Sequence, residues 1–162
     1  MSDLKPTVYI ETTIPSYLTA RPSRDVVRLA HQELSRAWWD QKERFQLFVS
    51  DLVELECSRG DPVAASERLQ AIKEIERLPN AEELADLAKT LFEQIRLPAN
   101  AQVDVEHLAL CVFHKIEYLL TWNCRHLANA VLLSKLPELC RNLGYTAPVI
   151  LTPEQLIDYG GT

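Results

Sequence analysis

Three acidic residues occupy positions where the sequence predicts that a carboxylate is at least partly buried. Glu11 follows directly on the apolar run Val8-Tyr9-Ile10, at the point where a short buried strand is expected to end. Glu56 and Asp104 each share a helical stripe with apolar residues that face the inside of the protein. Because an unpaired buried charge is costly, each of these carboxylates requires a partner.

A divalent cation is one such partner. Carboxylates that converge without fixed cations repel one another, and no lysine occupies a comparable inward position. Oxygen ligands without a requirement for Cys or His suit Mg²⁺ or Mn²⁺, which keep several waters and leave room for a phosphate oxygen. The residue types therefore predict metal-dependent chemistry on a phosphodiester.

Structural roles remain open for the same residues. Glu11 could cap the helix that follows it, Glu56 could form a salt bridge with Arg59, and Asp104 could complement the dipole of its helix. His107, one turn after Asp104, is more typical of a satisfied hydrogen-bonding histidine than of a metal ligand.

Four short apolar runs, each followed by polar residues, predict strands that position these side chains. Long segments of helical period separate them, so the pattern is β-α-β-α-β-α-β and the fold class is α/β, with a mostly parallel sheet covered by helices on both faces. In such a sheet the functional crevice lies at the carboxyl ends of the strands. The predicted strands are Thr7–Ile10, Phe45–Val49, Glu117–Trp122 and Pro148–Leu151.

Helix boundaries are predicted from caps and prolines. Asp51 and Glu54 have the spacing of a capping box, which gives Glu54 a structural role. Asp61 and Pro62 predict a helix start, and Pro137 is expected to break the last long helix. The predicted helices are Ser23–Lys42, Pro62–Arg77, Ala81–Ile95, Gln102–Phe113 and Leu127–Leu143.

Composition limits the classes of function. The 162 residues are 47% hydrophobic and 25% charged, which predicts one globular domain over residues 1–162. No apolar run approaches the roughly 18 to 20 residues of a membrane span, and the first residues lack the apolar core of a signal peptide, so a cytoplasmic protein without a membrane partner is expected. The four cysteines have no metal-site spacing, and no glycine-rich phosphate loop is present.

The net charge of −6 has the wrong sign for coating nucleic acid through the global field. A nucleic-acid substrate would therefore need a local basic rim. The candidates for this rim lie in the segments that leave the first and third predicted strands, although each could equally be a solvated charge. They are Arg21, Arg24, Arg125 and His126.

Four segments, taken in order, resemble the PIN-domain nucleases, specifically the VapC-type toxins of prokaryotic type II toxin–antitoxin pairs. The resemblance extends from about Thr7 to about Asp158. The segments are Tyr9-Ile10-Glu11-Thr12-Thr13-Ile14-Pro15-Ser16-Tyr17-Leu18, Val49-Ser50 with Glu56 downstream, Asp104-Val105-Glu106-His107, and Leu119-Leu120-Thr121-Trp122-Asn123-Cys124-Arg125-His126.

The resemblance implies a compact α/β/α domain, usually dimeric, that cleaves RNA with Mg²⁺ or Mn²⁺ held by four acidic positions. These positions fall on Glu11, Glu56, Asp104 and Asn123, and Thr12 is the hydroxyl expected to orient the first acid or a water on the metal. A small antitoxin protein would place a basic side chain in the acidic pocket. Glu11 and Asn123 stand where the family usually has aspartate, so Glu11 is one methylene longer and Asn123 lacks the charge.

The working hypothesis is an endoribonuclease in which Glu11 and Asp104 hold the metal. Glu56 would orient or deprotonate the attacking water, and Asn123 would position that water or the phosphate. Thr12, Arg21, Arg125 and His126 would contact substrate.

Two alternatives belong to other classes. Asn123 favours a weakened PIN-like domain that binds RNA or a protein partner without cleaving it. A phosphorylated receiver-like domain also has acids at strand ends, but no lysine follows a late strand to hold the phosphoryl group.

Overall fold

The computed structural model describes residues 4–157, so Asp158 and both ends of the domain predicted for 1–162 lie outside the described residues. Five parallel strands form one sheet in the order β3-β2-β1-β4-β5. This arrangement confirms the α/β fold class and is consistent with a PIN-like fold. The strands are β1 Thr7–Ile10, β2 Gln46–Val49, β3 Glu76–Arg77, β4 Tyr118–Leu120 and β5 Val149–Leu151.

Helices fill the connections between the strands. The helix α1 contacts α2 and α4, α3 contacts α4, and α2 contacts α8, whereas α5 contacts α6 and α7. The helices are α1 Thr13–Thr19, α2 Val26–Trp39, α3 Asp51–Cys57, α4 Pro62–Ile72, α5 Glu83–Ile95, α6 Gln102–Phe113, α7 Ala130–Asn142 and α8 Pro153–Leu156, with short 3-10 helices at Lys42–Arg44 and Ala99–Ala101.

The central strands explain why the sheet is stable. Val8, Tyr9 and Ile10 of β1 are fully buried, as are Leu119 and Leu120 of β4 beside them. Burying one large apolar side chain contributes about 1.5–3 kcal/mol, so this strand pair forms a firm base for the residues that follow it. Within residues 4–157, no helix has the length and apolarity needed to cross a membrane.

The predicted path of the chain needs two corrections. The helix predicted for Pro62–Arg77 ends at Ile72, and the strand β3 follows at Glu76–Arg77. This edge strand pairs with Phe48 and Val49 of β2, but its two polar residues give no apolar run from which it could be predicted.

The second correction concerns α7, which continues through Pro137 rather than breaking there. Proline removes the hydrogen bond to the carbonyl of residue i−4, here Leu133. Both Pro137 and Leu133 lie on the exposed side of the helix. Water can therefore satisfy the freed carbonyl, and the helix tolerates the proline.

The start of α3 also differs from the prediction. Ser50, not Asp51, is the N-cap, and its hydroxyl oxygen accepts a hydrogen bond from the backbone N–H of Val53. The capping box predicted from Asp51 and Glu54 is therefore wrong. Glu54 instead forms a surface salt bridge with Arg77 of β3, which keeps its role structural.

Candidate active site

The candidate site lies at the carboxyl ends of β1 and β4, the two central neighbours in the sheet. Ile10 pairs with Leu120, and the backbone N–H of Glu11 donates to the carbonyl of Leu120 at 3.1 Å. Parallel pairing therefore brings Glu11, at the end of one strand, beside the segment 121–123 that follows the other.

One oxygen of the Glu11 carboxylate accepts three hydrogen bonds. Thr13 donates to Oε2 from its hydroxyl at 2.5 Å and from its backbone N–H at 3.1 Å, and the hydroxyl of Thr121 donates at 2.7 Å. Glu11 is only 4% exposed. Burial raises the pKa of this carboxyl, although nearby His107 and the bonds from both threonines act in the opposite direction.

The same two threonines also form hydrogen bonds with the segment that follows β4. The hydroxyl of Thr13 accepts the backbone N–H of Trp122 at 2.8 Å, and the hydroxyl of Thr121 accepts that of Asn123 at 2.9 Å. The bond from the Thr13 N–H shows that Glu11 also binds the first turn of α1, as its structural interpretation allowed. Glu11 is therefore an anchor for this loop, and it remains a predicted site carboxylate.

Glu56 extends from α3 toward the same edge of the sheet. Its Oε1 contacts the hydroxyl of Thr12 at 2.7 Å and Nε2 of His107 at 2.5 Å. Burial alone would raise the pKa of Glu56, but the bonds from His107 and Thr12 outweigh it and the net direction is downward. Within residues 4–157, Glu56 forms no salt bridge with Arg59. The hydroxyl of Thr12, which was expected to orient Glu11, donates to Glu56 instead.

His107 joins this carboxylate to the core. Its Nδ1 lies 2.6 Å from the hydroxyl of Tyr9, which lies 2.8 Å from Oγ of Ser50. His107 is therefore a satisfied hydrogen-bonding residue, as its position in α6 suggested. Its partner is nevertheless a predicted catalytic acid, which sequence spacing did not reveal.

Asp104 and Asn123 meet at His126. Oδ2 of Asp104 lies 2.8 Å from Nδ1 of His126, and Oδ1 of Asn123 accepts the backbone N–H of His126 at 3.0 Å. The amide oxygen of Asn123 thus uses one of its two lone pairs within the loop, whereas its NH₂ group makes no hydrogen bond among the described residues. The other nitrogen of His126, Nε2, is buried and has no hydrogen-bond partner among residues 4–157.

The four predicted catalytic residues are connected indirectly, through hydrogen bonds of intermediate residues and through helix α6. Glu11 connects through Thr121 to Asn123, and Asn123 through His126 to Asp104. Asp104 and His107 lie one turn apart on α6, and His107 contacts Glu56. Sequence reasoning named the acids and gave His107 a hydrogen-bonding role, but it missed the other residues that hold the acids. Those residues are Tyr9, Thr13 and Thr121.

The predicted basic rim is less defined. Arg21, Arg24 and Arg125 are exposed, and none of their guanidinium groups takes part in the hydrogen bonds of residues 4–157. A separate cleft of about 700 Å³ lies between α3, α5 and α6. Asp51 and Glu106 line it, but none of the four predicted catalytic residues does.

The donor set was compared with the needs of Mg²⁺ or Mn²⁺. Within residues 4–157, no three Asp, Glu, His or Cys side chains gather closely enough to hold a metal by themselves. Each of Glu11, Glu56 and Asp104 nevertheless keeps one oxygen outside the hydrogen bonds of the described residues. Mg²⁺ is commonly bound by one or two carboxylates with waters and substrate phosphate, so the oxygen donors fit such a cation in that partial manner.

The chain was compared with known proteins at the level of sequence and of structure. No protein-family model matches the sequence, and no curated protein sequence is similar to it. Among solved structures, a chain of the VapBC2 complex from Rickettsia felis, bound to a DNA fragment from their promoter, superposes with a TM-score of 0.57. The two chains share a fold. The match covers 90% of this chain and 98% of the other at 12% sequence identity, so it establishes common architecture and not common chemistry.

Proposed function

We propose that this protein is a metal-dependent endoribonuclease and the toxin of a type II toxin–antitoxin pair. The supporting observation is a set of hydrogen bonds that links Glu11, through Thr121 and the loop of Asn123 and His126, to Asp104, and that links Glu56 to His107 on the helix of Asp104. The similarity to a chain of a VapBC complex supports the same proposal at the level of fold.

The surroundings of each site residue suggest a different role for it. Glu56 stays ionised, because His107 and Thr12 lower the pKa of its carboxyl, and it orients or deprotonates the attacking water. The NH₂ group of Asn123 donates to a phosphate oxygen, since its carbonyl oxygen is held by the loop. Arg21 and Arg125 are proposed to contact the RNA. His126, whose Nδ1 is bonded to Asp104 and whose Nε2 is buried, acts through Asp104, and Thr12 acts through Glu56.

Glu11 and Asp104 would hold Mg²⁺ or Mn²⁺ through the oxygens that their protein partners leave unused. When bound, the cation would polarise a phosphoryl oxygen and favour ionisation of the attacking water. In-line displacement would leave a 5′-phosphate and a 3′-hydroxyl.

The partners follow from the same proposal. VapBC2 is a two-protein complex by name, and a small antitoxin is proposed for this chain, with a basic side chain that neutralises the acidic site. A homodimer and a cytoplasmic location, where cellular RNA is available, complete the hypothesis.

Cleavage of a mixed small-RNA pool tests it. Wild-type protein is incubated with Mg²⁺, Mn²⁺ or chelator, beside Glu56→Gln and Asp104→Asn. Loss of a general base or a metal ligand should reduce the rate by about 10²–10⁴-fold. The matched controls Glu54→Gln on α3 and Glu106→Gln on α6 should cleave at the wild-type rate.

Chelator-resistant cleavage, or equal loss in the control variants, would contradict the proposal.

A second candidate is a PIN-like domain that binds RNA or a protein without cleaving it. Two observations favour it: Asn123 replaces an acid, and its amide oxygen is occupied by His126. This candidate predicts RNA binding by the folded wild-type protein, measured by electrophoretic mobility shift, with no metal-dependent cleavage. Metal-dependent cutting that Asp104→Asn abolishes would exclude it.

A further inference from the structure

A histidine buried between β1, α3 and α6 has both ring nitrogens occupied. The His107 side chain is 1% exposed, its Nδ1 faces the hydroxyl of Tyr9 and its Nε2 faces Oε1 of Glu56. Because neither nitrogen is free and almost no surface is open, His107 cannot contact a substrate. Any part it plays in chemistry must act through Glu56.

The pattern of donors and acceptors fixes where the proton of His107 lies. Ionised Glu56 can only accept, so Nε2 must carry a proton. In neutral imidazole Nδ1 is then an acceptor, and the hydroxyl of Tyr9 donates to it. The hydroxyl of Ser50 donates to the oxygen of Tyr9 in turn, while Ser50 accepts the backbone N–H of Val53. Every group in this chain has a partner when Nε2 carries a proton.

The same arrangement distinguishes the two oxygens of Glu56. Oε1 receives the hydroxyl of Thr12 and Nε2–H of His107, one from each side of the site. Oε2 accepts no hydrogen bond among the described residues. Two donors on one oxygen prevent free rotation of the carboxylate, so Oε2 is left as the oxygen that a water can approach.

We propose that His107 is a positioning residue that holds Glu56 with Oε2 directed to the attacking water. This role rests on the proposed nuclease function. Tyr9 and Ser50 support it, because they connect the imidazole to β1 and to the N-cap of α3, the helix that contains Glu56. The hydrogen-bonded chain therefore fixes α3 relative to α6, which contains Asp104.

Two variants separate positioning from structure. In His107→Gln the amide nitrogen can take the place of Nε2 and still donate to Glu56, whereas in His107→Asn the shorter amide can replace only Nδ1 and keep the bond to Tyr9. Loss of a residue that orients a site group typically lowers activity by about 10–100-fold. We expect such a fall in kcat, with little change in KM, for His107→Asn and substantial recovery in His107→Gln.

Thermal unfolding of both variants is the control for stability. A purely structural role predicts that activity follows the melting temperature. The proposal is overturned if His107→Asn retains wild-type kcat, or if the two variants lose activity equally.

A second measurement does not depend on catalysis. Nitrogen-15 NMR of the His107 ring in wild-type protein should show a proton on Nε2, the nitrogen that faces Glu56. A ring protonated at Nδ1 alone would overturn the proposal, because Glu56 would then lose its donor. If the wild-type protein cleaves no RNA but shows the expected tautomer, the nuclease function fails while the hydrogen-bonded placement of Glu56 stands.

Discussion

Replacing Thr121 with valine tests the anchor beneath the site. The Thr121 side chain is fully buried, and its hydroxyl donates to Glu11 at 2.7 Å while accepting the N–H of Asn123 at 2.9 Å. Valine has nearly the same shape as threonine but can neither donate nor accept a hydrogen bond. The substitution therefore removes two hydrogen bonds without opening a cavity.

The expected loss of stability follows from those two bonds. A hydrogen bond contributes about 0.5–1.5 kcal/mol, or about 1.5–3 kcal/mol where its acceptor is ionised, and a buried N–H left without a partner costs about 1–3 kcal/mol. The apolar methyl of valine offsets part of this because a buried hydroxyl no longer has to be desolvated. We expect Thr121→Val to lower the free energy of unfolding by about 2–4 kcal/mol, a large share of the 5–15 kcal/mol typical of a domain.

Equilibrium urea unfolding at neutral pH is the assay, with Thr121→Ser as the matched control. Serine keeps the hydroxyl and loses one methyl, which costs about 0.5–1.5 kcal/mol. The denaturant slope should stay constant, since the surface exposed on unfolding is unchanged. If Thr121→Val is as stable as Thr121→Ser, the hydroxyl does not anchor Glu11 and the reasoning is refuted.

Three further outcomes are expected. Burial raises the pKa of Glu11 above its ordinary value of 4.5, so this carboxyl contributes most to stability below pH 4.5, and the contribution is lost as pH rises through the pKa of the folded state. In chelator, the unfolding free energy of the wild type, measured relative to that of Glu11→Gln, should therefore fall from pH 4 to pH 7. Cys124 is exposed while the other three thiols are buried, so a thiol reagent should modify one cysteine in native protein and four in denatured protein. The Glu54–Arg77 pair is 48% and 32% exposed, so Glu54→Gln should cost less than about 1 kcal/mol in urea unfolding, and a larger loss would show that this pair is more than a surface contact.

The fold was predictable where apolar runs were long enough to give a period. β1 and α6 have the bounds predicted from the sequence, and β2, β4 and β5 differ from the prediction only at their ends. The strand β3 was missed because Glu76 and Arg77 have no apolar pattern, and their place in the sheet depends on β2. Local sequence contains no information about such a partner.

The site was predictable only in part for a related reason. The types and positions of Glu11, Glu56 and Asp104 suggested convergence, because parallel strands end at the same edge. Their hydrogen-bond partners come from distant parts of the chain: Thr121 lies 110 residues from Glu11, and His107 lies 51 from Glu56. Which hydroxyl or imidazole meets which carboxylate depends on side-chain packing that spacing along one helix cannot specify.

The two glutamates show how one edge of a sheet can give similar groups different properties. Glu11 is nearly enclosed, and burial raises the pKa of its carboxyl even though three donors meet on one oxygen. Glu56 is only partly covered, so the bonds from His107 and Thr12 outweigh desolvation and lower its pKa. Carboxyls whose surroundings move their pKa values apart are typical of acid–base sites. The difference is consistent with the proposed role of Glu56 as the ionised group beside the attacking water. It also fits the proposal that Glu11 is a cation ligand as well as an anchor, because a positive charge at its free oxygen would offset the cost of its burial.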